Sequence, residues 1–112
     1  MTTLLVLFRR PEGGVEAAEA FEQAYAESHL PLIADTPGLR SLRVRRVSEA
    51  LGGASDLVIV AEMGFDDRAA LDAALASDPM RAAGRNLRTI APGLATMLVL
   101  EDAPGLVPGG WR

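Results

Sequence analysis

The segment LRSLRVRRVSEALGGASDLVIVAEMGF, residues 39–65, decides the fold class of this chain. It contains two runs, LRSLRVRRVS (39–48) and SDLVIVAEMGF (55–65), in which apolar and polar residues alternate. The pair Gly52-Gly53 lies between them, and glycine is typical of the loop of a hairpin. Because an alternation of period two puts apolar side chains on one face of a strand, the segment predicts a β-hairpin. The register predicted for it groups four apolar side chains on one face: Leu42, Val44, Ile59 and Ala61.

Before the hairpin, the sequence predicts a strand and a helix. Residues 2–9, TTLLVLFR, form a short apolar run that ends at charged residues, as a buried strand does. From Val15 to His29, apolar residues recur at steps of three and four, which predicts an amphipathic helix. Pro31 has no N–H and disfavours helical angles at Leu30, so we expect the helix to end or kink near His29.

After the hairpin, the pattern predicts a helix in two pieces and a last strand. The first piece covers 67–76, and Asp78-Pro79 restarts the helix, which runs to about Thr89. The segment LATMLVLE, 94–101, is again a short apolar run. The resulting order, β-α-β-β-α-β, predicts an α+β protein of the ferredoxin-like type, with a four-stranded antiparallel sheet and two helices on one face.

Length and composition set the outer limits. The chain has 112 residues, enough for one domain, which we place at 1–101 with an irregular tail at 102–112. A net charge of −4, with arginines scattered among carboxylates, argues against a nucleic-acid partner. The apolar runs are too short to cross a membrane and no targeting signal precedes them, so we expect a cytoplasmic protein.

Both faces of the predicted sheet are apolar. The first strand offers Leu4 and Val6 on one side and Leu5 and Leu7 on the other, although the helices can cover only one face. A second copy of the chain is the simplest cover for the remaining face. We therefore predict a homodimer that packs through its sheet faces.

One motif resembles a known family. The pattern Y-x3-H-x-P-L followed by PGL is similar to the EthD family of the dimeric α/β-barrel superfamily, and is carried by Tyr25, His29, Pro31, Leu32 and Pro37-Gly38-Leu39. The resemblance implies a dimeric α/β barrel linked with the degradation of ethers or aromatic compounds, or with polyketide processing. Related members of the superfamily are cofactor-free monooxygenases, lactone isomerases, cyclases, dehydratases or haem-binding enzymes.

The candidate site follows from the same stretch. His29, the single histidine, is the candidate catalytic residue because imidazole exchanges protons near neutral pH, and Tyr25, one turn earlier, would assist through its hydroxyl. The alternative roles are structural: a histidine bonded to a free carbonyl and a tyrosine in the core. Four residues are predicted to line an apolar substrate cavity, with core packing as the alternative: Phe8, Phe21, Met63 and Phe65.

The leading hypothesis is a proton-transfer enzyme, an isomerase, cyclase, dehydratase or cofactor-free oxygenase, acting on a small hydrophobic oxygen-bearing molecule. No residue pattern calls for a cofactor, and a single histidine without cysteine predicts no metal site. The competing hypothesis is a non-catalytic dimeric accessory protein that holds a hydrophobic ligand or a haem, for which one imidazole suffices as axial ligand.

Overall fold

A four-stranded antiparallel sheet is the frame of the computed structural model, which describes residues 1–111. β1 (Thr2–Arg9) and β3 (Leu57–Phe65) form its centre. β2 (Ser41–Arg46) borders β3 and β4 (Ala95–Glu101) borders β1, so the strand order is β2-β3-β1-β4. The predicted α+β class, element order and antiparallel sheet are confirmed.

The register of the central strands separates two faces. Leu4 lies between Met63 of β3 and Val99 of β4 on the face that the helices cover. Leu5 pairs with Leu98 on the opposite face, which no helix covers in the described residues. Every second residue of β1 is buried beneath the helices while its neighbours are half-buried, as the period of a strand requires.

The hairpin has the predicted faces. Val44 pairs with Ala61, Leu42 pairs with Met63, and Ile59 follows on the same side of β3. These side chains face the helices, and the loop between the strands contains the predicted glycine turn, with Gly52 at a positive φ of 77°. The alternation in the sequence was therefore sufficient to assign the faces of β2 and β3.

The helical elements all lie on one side of the sheet. α1 (Gly14–Ala24) runs into a π-helical turn (Tyr25–His29) and then into α2 (Leu30–Ala34). α3 (Arg68–Leu75) and α4 (Asp78–Ile90) follow the hairpin. The predicted break between the last two helices is present, because Ser77 caps α4 and accepts a hydrogen bond from the N–H of Met80.

The disturbance expected near His29 is a π turn and not an end of the helical segment. Leu30 keeps helical angles, with φ −57° and ψ −38°, although it precedes a proline. Its N–H donates to the carbonyl of Tyr25, five residues back, so the π turn absorbs one extra residue. Pro31 then falls in the first turn of α2, where its missing N–H is not needed.

The core lies between the helices and the inner face of the sheet, with Phe8, Phe65 and Leu71 fully buried. α4 packs mainly on α2, α3 and the π turn. Met97 of β4 therefore remains 54% exposed even though it points to the helical side. An opening is left between α4 and the edge of the sheet.

The segment after β4 has little regular structure. It contains a short 3-10 turn at Pro104–Leu106, and the side chains of Leu106 and Trp111 are exposed. Arg112, the last residue of the predicted tail, lies outside the described residues.

Candidate active site

His29 is buried at the end of the π turn, with only 3% of its surface exposed. π turns occur often at functional sites because the extra residue re-aims the side chains on either side of it. In this chain the turn aims the imidazole at a cavity of about 200 Å³ between α2, α3, α4 and the inner face of the sheet. The cavity reaches the surface at the opening beside Met97.

The walls of this cavity, hereafter the His29 cavity, are almost entirely apolar. Among the described residues that line it, His29 has the only polar side chain. The remaining lining residues are aliphatic side chains, methionines and one glycine: Leu4, Val6, Ile33, Met63, Leu75, Met80, Ala83, Gly84, Leu87 and Met97. An apolar cavity with one polar group that can orient a ligand is the usual form of a small-molecule site.

Hydrogen bonds hold the imidazole from behind. His29 Nδ1 lies 3.1 Å from Oδ1 of Asn86, a residue of α4. Asn86 Nδ2 donates to Ser28 Oγ over 3.1 Å, and the Ser28 hydroxyl donates to the carbonyl oxygen of Ala24 over 2.7 Å. The π turn and α4 are thus joined by a chain of three hydrogen bonds that ends at the ring.

Burial controls the charge of His29. Removal from water lowers the pKa of the imidazole below its ordinary value of 6.5, and the hydrogen bond to Asn86 opposes this shift only in part. The ring is therefore neutral at pH 7. A neutral imidazole can accept a proton from a bound molecule, as a general base does.

Tyr25 touches the same imidazole but lines a different space. Its ring lies 5.2 Å from that of His29, centroid to centroid, and meets Phe8 edge-on at 5.1 Å. It contributes to a second cavity of about 220 Å³, between the first helix and the hairpin, which the Glu22–Arg46 ion pair borders. Burial raises the pKa of Tyr25 to about 12, so the phenol stays protonated at neutral pH.

The four residues expected to line a substrate cavity are divided by the fold. Met63 lines the His29 cavity. Phe8, Phe21 and Phe65 do not line it, because they lie in the fully packed part of the core, at most 4% exposed. Phe8 and Phe21 pack against each other, with ring centroids 5.7 Å apart.

Sequence reasoning missed Asn86, which is 57 residues from His29 along the chain. Nothing in the local pattern marks this asparagine as the partner of the histidine. A signal did exist for the opposite wall: Met80, Ala83 and Leu87 recur at steps of three and four along α4, so they lie on one stripe that faces inward.

Two kinds of feature are absent from residues 1–111. They contain no cluster of three or more histidine, aspartate or glutamate side chains that could hold a metal ion. None of their helices is long and apolar enough to cross a membrane.

Comparison with known proteins places the chain in a family. A crystal structure from Bacillus halodurans, described as an ethyl tert-butyl ether D (EthD) family protein, is 31% identical, covers 92% of this chain and 99% of its own, and superposes with a TM-score of 0.83. The chain belongs to the EthD family. The family expected from the motif that includes Tyr25 and His29 is thus confirmed by similarity along nearly the whole chain. No protein-family model matches the sequence, and neither does any curated protein.

More distant structures share the fold of this EthD protein. One is a dimeric ferredoxin-like protein of unknown function from Bacteroides fragilis, 20% identical over 90% of this chain and 95% of its own, with a TM-score of 0.66. Another is SnoaB, a cofactor-independent oxygenase from Streptomyces nogalater, 19% identical over 90% of this chain and 91% of its own, with a TM-score of 0.59. At these identities the likeness concerns the fold alone.

Proposed function

We propose that this EthD protein is a proton-transfer enzyme in which His29 is the catalytic base. The observation that carries the proposal is a neutral, buried imidazole that provides the only polar side chain among the described residues lining an apolar cavity. A base removed from water and held within hydrogen-bond reach of a bound molecule is suited to take a proton from it.

The cavity suggests the class of substrate. Its volume of about 200 Å³ is smaller than the roughly 300–1,000 Å³ of sites for drug-sized ligands, so the substrate is small or enters only in part. The apolar walls select a hydrophobic body, and the imidazole selects an oxygen function with an acidic proton beside it. An enol, a phenol or an enolisable ketone has both features. Isomerisation, cyclisation, dehydration and cofactor-free oxygenation can each begin with removal of such a proton.

Tyr25 and the aromatic residues have supporting roles in this proposal. The Tyr25 ring packs against the imidazole and limits its rotation, while Phe8 packs behind Tyr25. Phe21 packs beside Tyr25, with ring centroids 6.0 Å apart, and Phe65 is fully buried elsewhere in the core. Met63, with Met80 and Met97, gives the substrate a flexible apolar wall that can adapt to its shape.

We further propose that two copies associate through the uncovered faces of their sheets and form a dimeric α/β barrel. Six apolar side chains on that face support this: Leu5, Leu7, Val58, Val60, Leu98 and Leu100. On the same face, Arg45 pairs with Glu62 within the chain, so burial would not leave that carboxylate alone. The Bacteroides fragilis protein of the same fold is described as dimeric.

Deuterium exchange tests the catalytic proposal without knowledge of the full reaction. The protein would be incubated in D2O with a panel of phenols, enolic diketones and enolisable aryl ketones, and deuterium uptake at carbon would be followed by mass spectrometry. We expect faster exchange for at least one compound, and loss of that acceleration in His29→Gln, which keeps a polar side chain of similar reach.

A matched variant and a binding measurement separate the two hypotheses. Tyr25→Phe should keep the acceleration, because the ring that packs on His29 remains. If compounds bind near His29 but none exchanges faster than in buffer, the non-catalytic ligand-binding hypothesis is preferred. A Soret shift on haem titration that His29→Gln abolishes would identify the haem-binding form of that hypothesis.

A further inference from the structure

The hydrogen-bond chain behind His29 contains a hydroxyl with a single proton. Ser28 Oγ lies 2.7 Å from the Ala24 carbonyl oxygen and 3.1 Å from the Asn86 amide. Two oxygens 2.7 Å apart repel each other unless a hydrogen lies between them, and a carbonyl cannot supply one. The Ser28 proton is therefore committed to Ala24, and towards Asn86 the Ser28 oxygen can only accept.

This commitment determines the orientation of the Asn86 amide. The group facing Ser28 must be a donor, so it is the NH2 group, and the carbonyl Oδ1 faces His29. In the reversed orientation, Asn86 Oδ1 would face Ser28 Oγ. The single hydroxyl proton of Ser28 could then lie towards Asn86 or towards Ala24, and the other pair of oxygens would have no hydrogen between them. The positions of the amide oxygen and nitrogen of Asn86 are thus assigned from which neighbouring atoms can donate a proton and which can only accept one.

The orientation of the amide fixes the proton on the imidazole. Asn86 Oδ1 can only accept, so the nitrogen 3.1 Å away, His29 Nδ1, carries the proton in the neutral ring. Nε2 then has a free lone pair. In residues 1–111 no fully buried side-chain nitrogen or oxygen lacks a partner, and no described residue bonds Nε2, so Nε2 must be accessible. The space that His29 lines is the His29 cavity.

We infer that Asn86, held by Ser28, is a positioning residue that keeps the neutral imidazole protonated on Nδ1 and presents Nε2 to the cavity as a hydrogen-bond acceptor. A ligand must then donate a hydrogen, as a phenol or an enol does, and a molecule whose oxygen is blocked by a methyl group binds less well. This deepens the proposed function and, for the ligand class, rests on it.

The tautomer is measured directly because the chain has one histidine. In protein labelled with 15N at His29, long-range 1H–15N spectra at neutral pH should show Nδ1 at the shift of a protonated nitrogen and Nε2 at that of an unprotonated one. Asn86→Leu removes the acceptor and Ser28→Ala frees the amide to turn, so both should move the spectrum towards the Nε2-protonated form. Asn86→Asp restores an acceptor beside Nδ1, and the Ser28 hydroxyl can turn to donate to the other carboxylate oxygen, so Nδ1 should again appear protonated. An Nε2-protonated ring in the unaltered protein overturns the inference.

A pair of probes tests the ligand class separately. We expect 1-naphthol to bind with a shift of the Nε2 signal, and 1-methoxynaphthalene, which lacks the donor, to bind several-fold to about tenfold more weakly, as loss of one hydrogen bond implies. Equal affinities overturn the donor requirement. If the tautomer is as inferred but the deuterium exchange above fails for every compound, the proposed function fails while the positioning role of Asn86 stands. A reversed tautomer with active exchange refutes the positioning role and leaves the proposed function in place.

Discussion

Tyr25 and His29 lie on one π turn with their rings 5.2 Å apart, yet they line two different cavities. The imidazole faces α4 and the apolar cavity, and the phenol faces the hairpin. The two packed rings therefore lie between the two cavities, and each ring contacts the other. This arrangement makes separate predictions for the two residues.

Acid should destabilise the protein through His29. Because burial lowers the pKa of this imidazole in the folded state, the unfolded chain binds a proton more readily as the pH falls below the ordinary value of 6.5. The free energy of unfolding should thus fall with decreasing pH from about 6.5, by at most about 1.4 kcal/mol per pH unit for one proton. Urea unfolding between pH 7.5 and 5.5 would measure this, and His29→Gln should flatten the dependence. An equal slope in the variant would show that other groups cause it.

Alkali should destabilise the protein through Tyr25. The pKa of its phenol is raised to about 12 by burial, against an ordinary value of 10.0, so unfolding releases a proton between these pH values. Stability should therefore fall as the pH rises above 10. Since the chain has one tyrosine, absorbance at 295 nm follows this residue, and we expect tyrosinate to appear together with the loss of circular dichroism. Tyrosinate that forms near pH 10 in folded protein would contradict the burial of the Tyr25 side chain.

Core packing should depend strongly on Leu71. This side chain is fully buried between α3 and the sheet, whereas Leu51 in the hairpin loop is 87% exposed. We expect Leu71→Ala to lower the free energy of unfolding by about 2–5 kcal/mol, from lost burial and the cavity left behind. Leu51→Ala, the same chemical change at the surface, should lower it by less than about 0.5 kcal/mol. Similar losses at both positions in chemical unfolding would contradict the position of the core.

The start of α3 provides a test of local structure. Asp67 accepts a hydrogen bond from the N–H of Ala70 over 2.8 Å, as a helix cap does, while the neighbouring Asp66 pairs with Arg40 at the surface. Asp67→Ala should cost about 1 kcal/mol of stability. Asp66→Ala removes only an exposed ion pair and should cost less. Thermal unfolding of the two variants would measure the difference, and a larger loss for Asp66→Ala would exclude the capping role.

If two copies associate through their sheet faces, a charged residue on that face should convert the dimer into a monomer in solution. Leu98 lies on the uncovered face of β4, and Leu98→Arg would bury a charge without a partner in the interface. We expect sedimentation to show a dimer for the unaltered protein and a monomer for this variant. Leu51→Arg, in the exposed loop outside the strands, should remain dimeric. A monomer in all three samples at micromolar concentration would refute the proposed dimer.

Much of the fold could be read from the order of residues, because its signals are local. The alternation in the hairpin assigned Val44 and Ala61 to the inner face, and the register confirms it. Pro31 indicated only in part what happens near His29: the α-helix is interrupted there, but Leu30 keeps helical angles and Pro31 lies in the first turn of a new helix. A proline in the sequence predicts that a helix is disturbed. Whether the helix ends, kinks or forms a π turn depends on the packing of the neighbouring turns.

The candidate site was predictable only in part. His29 stood out because a chain with one histidine has few groups that exchange protons near neutral pH. Phe8, Phe21 and Phe65 looked equally suited to a cavity wall, since hydrophobicity alone does not distinguish a packed core from the edge of an opening. The positions of the helices decide between them: α4 leaves Met97 uncovered, whereas Phe8 and Phe21 pack against each other and against Tyr25.

The sequence by itself determined the class of fold, the apolar character of both sheet faces and the identity of the titrating ring, since these follow from periodicity and composition. Only the tertiary structure decided what surrounds that ring. Asn86 meets His29 across 57 residues, and the contact exists because α4 packs beside the π turn. Which nitrogen of the imidazole carries the proton therefore depends on a contact between segments that are distant in sequence, and no local pattern in the chain predicts that contact.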